Sequence, residues 1–410
     1  MKITMLTSVY GEHAIGGAER STAQMVESLR ARGHLVEVMS LSAPRGGSAD
    51  RTSGADVSLV PIPLMQIYDP YGLDGSKPVQ HHPLKRASWH ALDIYNPWMT
   101  ARVKQALIRS RPDVLFTHAI QGFSVGVWAA AKQLGIKLVH MVHDHALICP
   151  GTAMTRGAVA CELPCTSCQV FSTLREKVAA RPDAVVGPSQ LILDRHRRFG
   201  WFRDVSTQMV IENALPAGWP EAPKDKDGPE ALPSRPMVFG FLGRMDESKG
   251  ADTLLQAASR FGPEVCRVKM AGGGNQEVML RHFSGKPQMV EFCGVVNAAP
   301  FLAQLDVLVT VSRAHETFCN VVMEAGCLGV PSIVSDRGAL PERVLQGRSG
   351  WIVPAGNADA LAVAMSHCMR HPDEVRAKGQ VALEARNTYS LQTQTDKLEG
   401  LLMQVVAGKP

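Results

Sequence analysis

Short, nearly continuous apolar runs alternate along the chain with longer stretches whose apolar positions recur every three or four residues. In the first half the runs are Lys2 to Val9, Leu35 to Leu41, Val57 to Ile62, Val114 to Thr117, Leu138 to His143, Ala184 to Val186 and Met209 to Ile211. Met237 to Leu242, Arg267 to Ala271, Val290 to Cys293 and Leu305 to Val311 repeat the pattern in the second half. Each run has the length and patterning of a strand buried on both faces. Between them, Thr22, Met25, Val26 and Leu29, and later Leu254, Leu255, Ala258 and Phe261, fall on single faces of helices. Strand and helix in alternation predict an α/β protein with doubly wound parallel sheets, whose ligands bind at the carboxyl ends of the strands.

A chain of 410 residues exceeds one ordinary core and suits two domains. Pro216 to Pro236, with six prolines and the charged run Lys224-Asp225-Lys226-Asp227, cannot pack a core and reads as the linker. Residues 1–215 and 237–390 are then the two domains. No apolar run approaches the ~18 residues of a membrane span, and Met1 leads directly into a strand, so the expected location is the cytoplasm. A net charge of +5 is compatible with anionic substrates or contact with the inner membrane face, and too weak to call for nucleic acid.

Candidate chemistry gathers at strand-to-helix turns. After Leu305 to Val311, the stretch from His315 to Glu342 opens a helix that Gly329 and Pro331 stop. Its first amides, at Phe318, Cys319 and Asn320, face the positive end of the helix dipole, where a phosphate is favoured. Glu316 lies at the turn and Glu324 further along, both able to hold sugar hydroxyls. Gly243-Arg244 and Lys249, five residues apart after Met237 to Leu242, suit two phosphates, the arginine as a fork and the lysine as a point charge. Gly16-Gly17, after the first strand, lets backbone approach a ligand but lacks the dinucleotide-binding spacing. His143-Asp144-His145 closes the strand ending at His143, where such a sheet presents reactive groups.

The series Glu316, Glu324, Ala325, Gly329, Pro331, Ser335, Asp336, Gly338, Pro341, Glu342 resembles the signature of the retaining glycosyltransferases of family 4, also called glycosyl transferases group 1. Gly16-Gly17-Ala18-Glu19, His143-Asp144, Arg244 and Lys249 match the same family in order. The departure is Cys319, where the family commonly has glycine. The resemblance implies the GT-B fold, two Rossmann-like domains facing a central cleft, with a final helix at about residues 391–410 packing back on the first domain. It implies transfer of a hexosyl group from a nucleoside diphosphate sugar, UDP- or GDP-linked, to an acceptor hydroxyl with retention of configuration, as in polysaccharide or glycoconjugate biosynthesis. Arg244 and Lys249 then hold the diphosphate, Glu324 the ribose, Glu316 and His143 the donor sugar, and the backbone at Val295 the base. With Arg244 and Lys249 as the cations, and the only Asp-x-Asp, Asp225 and Asp227, in the linker, no cofactor is required. A sugar, a lipid-linked sugar and a small molecule all remain candidate acceptors. A GT-B epimerase acting on a nucleotide sugar and a non-catalytic nucleotide-sugar-binding protein are the alternatives.

Three stretches stay open between structural and functional readings. Tyr68, Tyr71, His81, His82, Trp89, His90, Tyr95 and Trp98 form an aromatic, His-rich excursion or an acceptor flap. Cys149, Cys161, Cys165 and Cys168 are either four reduced thiols or the ligands of a structural zinc. Leu191 to Arg203, basic with Phe199, Trp201 and Phe202, is either a solvated helix or an interfacial patch.

Overall fold

The computed structural model describes residues 1–11, 16–42, 57–61, 82–157, 159–222, 235–275, 280 and 288–408. Two compact units emerge. One comprises Met1–Ala153, Leu163–Ile211 and Gln394–Pro410, the other Met154–Glu162 and Glu212–Thr393. The predicted aspartates of the linker, Asp225 and Asp227, lie outside the described residues.

In the first unit β1 (Lys2–Leu6), β2 (Leu35–Ser42), β3 (Val57–Pro61), β4 (Val114–Thr117) and β5 (Lys137–Met141) precede a two-stranded hairpin, β6 (Thr155–Arg156) and β7 (Val159–Ala160), that belongs to the second unit. β8 (Ala184–Gly187) and β9 (Thr207–Val210) complete a parallel sheet of order β3-β2-β1-β4-β5-β8-β9. β4 and β8 are buried at every residue, as expected of strands covered on both faces. The order reverses between β1 and β4, which makes the ends of those strands the topological switch point. The helix Gly17–Ala31 buries the predicted Thr22, Met25, Val26 and Leu29. The final helix, Leu391–Val406, contributes Leu398, Leu401, Leu402 and Val405 to the core that holds Ile3, Met5, Phe116 and Val139. That i, i+3, i+4, i+7 spacing is one helix face, and Glu399 fixes it through His34 at 2.7 Å and Arg32 at 3.0 Å.

The structure bears on two of the ambiguous stretches, and in the aromatic one Tyr95 and Trp98 stay exposed. Residues 62–81 of the aromatic excursion are not described, but Pro83–Ile94 and Pro97–Ser110 are helices with proline in the first turn. Trp89 is buried, and Asp93 meets Arg175 in an ion pair in which both side chains are 1 % exposed. Arg175 also donates to the carbonyls of Asp93 at 2.9 Å and Ala146 at 3.0 Å, and Asp93 accepts from the amide of Gly122 at 2.6 Å. A buried pair satisfied on so many sides pins helix to core. In Leu191 to Arg203, Trp201 and Phe202 are buried. They pack around Trp128, and the Trp201 indole donates to Ser172 Oγ at 2.8 Å, so neither ring is offered to a lipid surface. Among the described residues no helix is long and apolar enough to cross a membrane.

The second unit holds β10 (Met237–Leu242), β11 (Cys266–Ala271), β12 (Val290–Gly294), β13 (Val307–Thr310), β14 (Ser332–Ser335) and β15 (Gly350–Val353). All pair in parallel in the order β12-β11-β10-β13-β14-β15, so its switch point lies between β10 and β13.

Burial leaves the first unit rich in neutral histidine. It lowers His118 and His140 well below the ordinary value, and lowers His90, His143 and His196 to about 4. In the unfolded chain these rings titrate near 6.5. The unfolded state therefore binds protons first as pH falls, and stability present above pH 6.5 is lost towards pH 4. Burial also raises Asp93 and Asp144 to about 6, which opposes the loss below pH 6 through two groups against five. Each net proton counts for about 1.4 kcal/mol per pH unit. Denaturant midpoints should thus fall steeply between pH 6.5 and pH 4.5, and a flat or rising profile contradicts this burial.

Candidate active site

Lys249 and Glu316 meet across the switch point of the second unit. Lys249 ends a short 3-10 turn, Glu247–Lys249, beyond β10, and Glu316 stands beyond β13. Asp246 caps the turn, accepting from the amide of Ser248 at 3.0 Å. The carbonyl of Ser248 in turn receives the amides of Arg313 at 2.7 Å and Ala314 at 3.3 Å, so backbone alone brings the two loops together. Lys249 Nζ then donates to Glu316 Oε1 at 2.6 Å, and Ser312 Oγ donates to the same oxygen at 2.5 Å. Ser335 holds Ser312 in place by donating to its carbonyl at 2.6 Å.

Glu316 is only 14 % exposed, and burial alone would raise its carboxyl. Lys249 and Ser312 outweigh that and hold it below the usual carboxylate range, while Glu316 raises Lys249. Both are charged at neutral pH, so Glu316 accepts hydrogen bonds and has no proton to give. Beside them Arg244 lies 76 % exposed, 3.4 Å from Asp246. Here two cations face two carboxylates at the carboxyl ends of two parallel strands, one cation anchored and one extended into solvent.

Glycines allow the loops to approach so closely. At Gly338, with φ +62°, a Cβ would stand 2.2 Å from the carbonyl oxygen of Glu316 and 2.4 Å from its amide nitrogen. Ala339 donates its amide to that same carbonyl at 2.7 Å. A Cβ on Gly272 would meet the carbonyl oxygen of Gly243 at 1.9 Å, which keeps the turns after β10 and β11 in contact.

In the first unit His143 follows β5, and its Nε2 lies 2.8 Å from Nδ1 of His118, the residue after β4. Thr22, on the helix that begins at Gly17, reaches both rings, at 3.2 Å and 3.5 Å. Asp144 turns inward and caps the next turn, accepting from the amide of Ala146 at 2.7 Å. His145 is buried and stacks on His196.

Two family models match this chain. One, described as Glycosyl transferases group 1, covers residues 236–371, and the other, Glycosyl transferase 4-like domain, covers residues 16–213. The chain is a family 4 glycosyltransferase. It is 26 % identical over 386 residues to a GDP-mannose-dependent alpha-mannosyltransferase of Mycobacterium tuberculosis, covering 91 % of this chain and 88 % of the relative. Among solved structures, a sucrose-phosphate synthase of Thermosynechococcus elongatus aligns with a TM-score of 0.72 at 18 % identity over the whole of both chains. Anabaena HepE in complex with UDP aligns with a TM-score of 0.70 at 17 % identity, over 98 % of this chain and 100 % of its own. The fold is GT-B.

Within the second unit of this glycosyltransferase, Lys249 and Glu316 meet, with the exposed Arg244 beside them. Glu324 is half-buried in the helix Asn320–Gly326. That helix is shorter than expected, seven residues, because Cys319 adopts a left-handed conformation, φ +71°, and delays its start. Glu324 is therefore one turn into the helix, and the expected dipole end at Phe318, Cys319 and Asn320 is a short one. Phe318 turns its ring into the core beneath Arg343, 4.2 Å away, and Asn320 accepts from Asn213 at 2.8 Å. Val295, after Gly294 at the end of β12, is 89 % exposed. In the first unit Gly16 caps the helix Gly17–Ala31 with φ −91°, so no left-handed turn demands glycine there. Of the four loop cysteines, Cys149, Cys165 and Cys168 fall in the first unit and Cys161 in the second. Cys168 lies 3.3 Å from Cys165 and 3.5 Å from Cys149, sulfur to sulfur. Among the described residues no group of three or more His, Cys, Asp or Glu side chains is arranged to hold a metal ion.

Sequence reasoning passed over Ser312 and His118, and read Thr22 only as a position on a helix face. For His118 a signal existed: it closes β4 as His143 closes β5.

Gly338 gives a direct test of how the site is built. Gly338→Ala adds a backbone collision to the left-handed strain, whereas Gly347→Ala, at φ +93° with nothing within 4 Å of its Cβ, adds the strain alone. Denaturation should show a loss of about 1 kcal/mol for Gly347→Ala. Gly338→Ala should lose at least twice that, and equal losses would refute the close approach.

Proposed function

We propose that this glycosyltransferase moves a hexosyl group from a nucleoside diphosphate sugar to an acceptor hydroxyl, with retention at the anomeric carbon and without a divalent metal. The observation that carries the reading is the Lys249–Glu316 pair across the β10/β13 switch point, with the extended Arg244 beside it. The bond from the anomeric carbon to the diphosphate oxygen breaks with its electron pair staying on the diphosphate. Arg244 and Lys249 are the cations that meet this charge as it grows. The acceptor oxygen bonds to the anomeric carbon on the face that the diphosphate leaves, and its proton passes to the departing phosphate oxygen. No side chain serves as a nucleophile.

Glu316, charged and anchored by Lys249 and Ser312, accepts from donor-sugar hydroxyls, and Glu324 accepts from the ribose. The family resemblance assigns His143 to the sugar, the Gly16-Gly17 turn to the donor phosphates and the backbone of the exposed turn at Val295 to the base. The M. tuberculosis relative is named for GDP-mannose and the Anabaena protein was solved with UDP, so purine and pyrimidine donors both belong in the test.

Incubation of the protein with a panel of UDP- and GDP-sugars should release free sugar and nucleoside diphosphate slowly from one of them. A new nucleotide sugar would instead indicate an epimerase, and no change a binding protein. With that donor, Arg244→Ala and Lys249→Ala should each lower turnover by one to two decades; Arg244→Ala should leave stability unchanged, while Lys249→Ala should also lower it, because it leaves the Glu316 charge unpaired. Each removes a charge-assisted contact of about 1.5 to 3 kcal/mol. Turnover within a factor of two of wild type would remove both from the diphosphate. Activity should also persist in a strong chelator; strict dependence on magnesium or manganese would overturn the metal-free mechanism.

A further inference from the structure

The pairing of His143 with His118 decides which nitrogen of His143 bears its proton. Both rings are neutral at pH 7, because burial lowers each well below the ordinary histidine range. A single proton therefore lies between His118 Nδ1 and His143 Nε2, 2.8 Å apart. Thr22 Oγ1 donates its own proton to the carbonyl of Ala18 at 2.9 Å, so towards the rings it can only accept.

Two arrangements compete. If His143 donates from Nε2, His118 must carry its proton on Nε2, a buried nitrogen without a hydrogen-bond partner. That leaves a buried N–H unsatisfied, the rarest defect in folded proteins. If His118 instead donates from Nδ1, the proton sits between two acceptors, His143 Nε2 at 2.8 Å and Thr22 Oγ1 at 3.2 Å. Only a lone pair on His118 Nε2 then goes unused. In the second arrangement the one donor of these three side chains without a protein partner is His143 Nδ1, which is not among the fully buried unpartnered atoms.

We infer that His118 is a positioning residue: with Thr22 it fixes His143 as the tautomer protonated on Nδ1, so that His143 offers a sugar hydroxyl a hydrogen-bond donor and not an acceptor. His143 Nδ1 makes no hydrogen bond within the described residues, and it is not among the buried unpartnered atoms, so the donor is open to a ligand. The ring cannot exchange roles by tilting. His118 lies between Phe116, 4.3 Å away, and His143, 5.1 Å away and nearly parallel, and its amide is bonded to the carbonyl of Leu6 at 2.8 Å. β4 lies between β1 and β5 in the sheet, so the residue after β4 meets the residues after both neighbours. This role rests on the reading that His143 touches the donor sugar; the tautomer itself does not.

Nitrogen NMR of the ligand-free protein labelled in its histidine rings reads the tautomer directly, with His143 and His118 assigned by substitution. The expected spectrum has protonated Nδ1 and bare Nε2 for both rings. A protonated Nε2 on His143 overturns the inference without any variant. His118→Phe should release the tautomer and lower kcat/KM for the donor about tenfold, the value of one hydrogen bond. His118→Asn, whose amide places a donor where Nδ1 stood, should restore both. A Phe variant that keeps the Nδ1 proton on His143 also overturns the inference. If the tautomer is as expected but no nucleotide sugar is turned over, the proposed function fails and the tautomer assignment stands.

Discussion

A carboxylate kept ionised with little contact with water is the constraint on which the second unit depends. Glu316 has too little contact with water to carry its charge alone, so Lys249 must stand against it and Ser312 must donate to it. Neither would be in place without the backbone links from Ser248 to Arg313 and Ala314, which join the turn after β10 to the loop after β13. Those links need the bare faces of glycine: Gly250, where a Cβ would meet the carbonyl oxygen of Val311 at 2.3 Å, and Gly338 over Glu316. Removing one charge would leave the other buried and uncompensated, so the pair is a commitment of the fold as well as of the site.

The first unit meets a related problem with neutral groups. Its sheet buries neutral histidines at the strand ends and pairs them with each other and with threonine. His140, for example, pairs with Thr117 at 2.9 Å, and Thr117 also receives the Trp128 indole at 3.1 Å. Neutral rings in low dielectric keep fixed donor and acceptor roles, which suits the orientation of hydroxyl groups. Charges in the second unit suit the departure of a diphosphate.

The first sheet and β10 to β13 of the second were legible in the sequence, because strands buried on two faces read as continuous apolar runs; β14 and β15, four residues each, were not among the runs read. The cluster of Arg244, Lys249 and Glu316 was legible because its members flank two such runs. Other features depend on contacts between distant residues and carry no local mark. Cys319 has no intrinsic preference for the left-handed region, so the late start of its helix could not be foreseen. Trp201 and Phe202 sit in a basic stretch that reads like an interfacial patch, and only packing around Trp128 takes them inside. His118 gains its role from His143, 25 residues away on the neighbouring strand. Ser312 precedes Glu316 by four residues and resembles any strand-end serine until Ser335 fixes its carbonyl.

The most direct test of the account is a crystal structure with a nucleoside diphosphate bound. The diphosphate should lie at the carboxyl ends of β10 and β13, within hydrogen-bond reach of both Arg244 and Lys249. A diphosphate elsewhere, or one held through a divalent metal on carboxylates with Lys249 still turned wholly to Glu316, would contradict it.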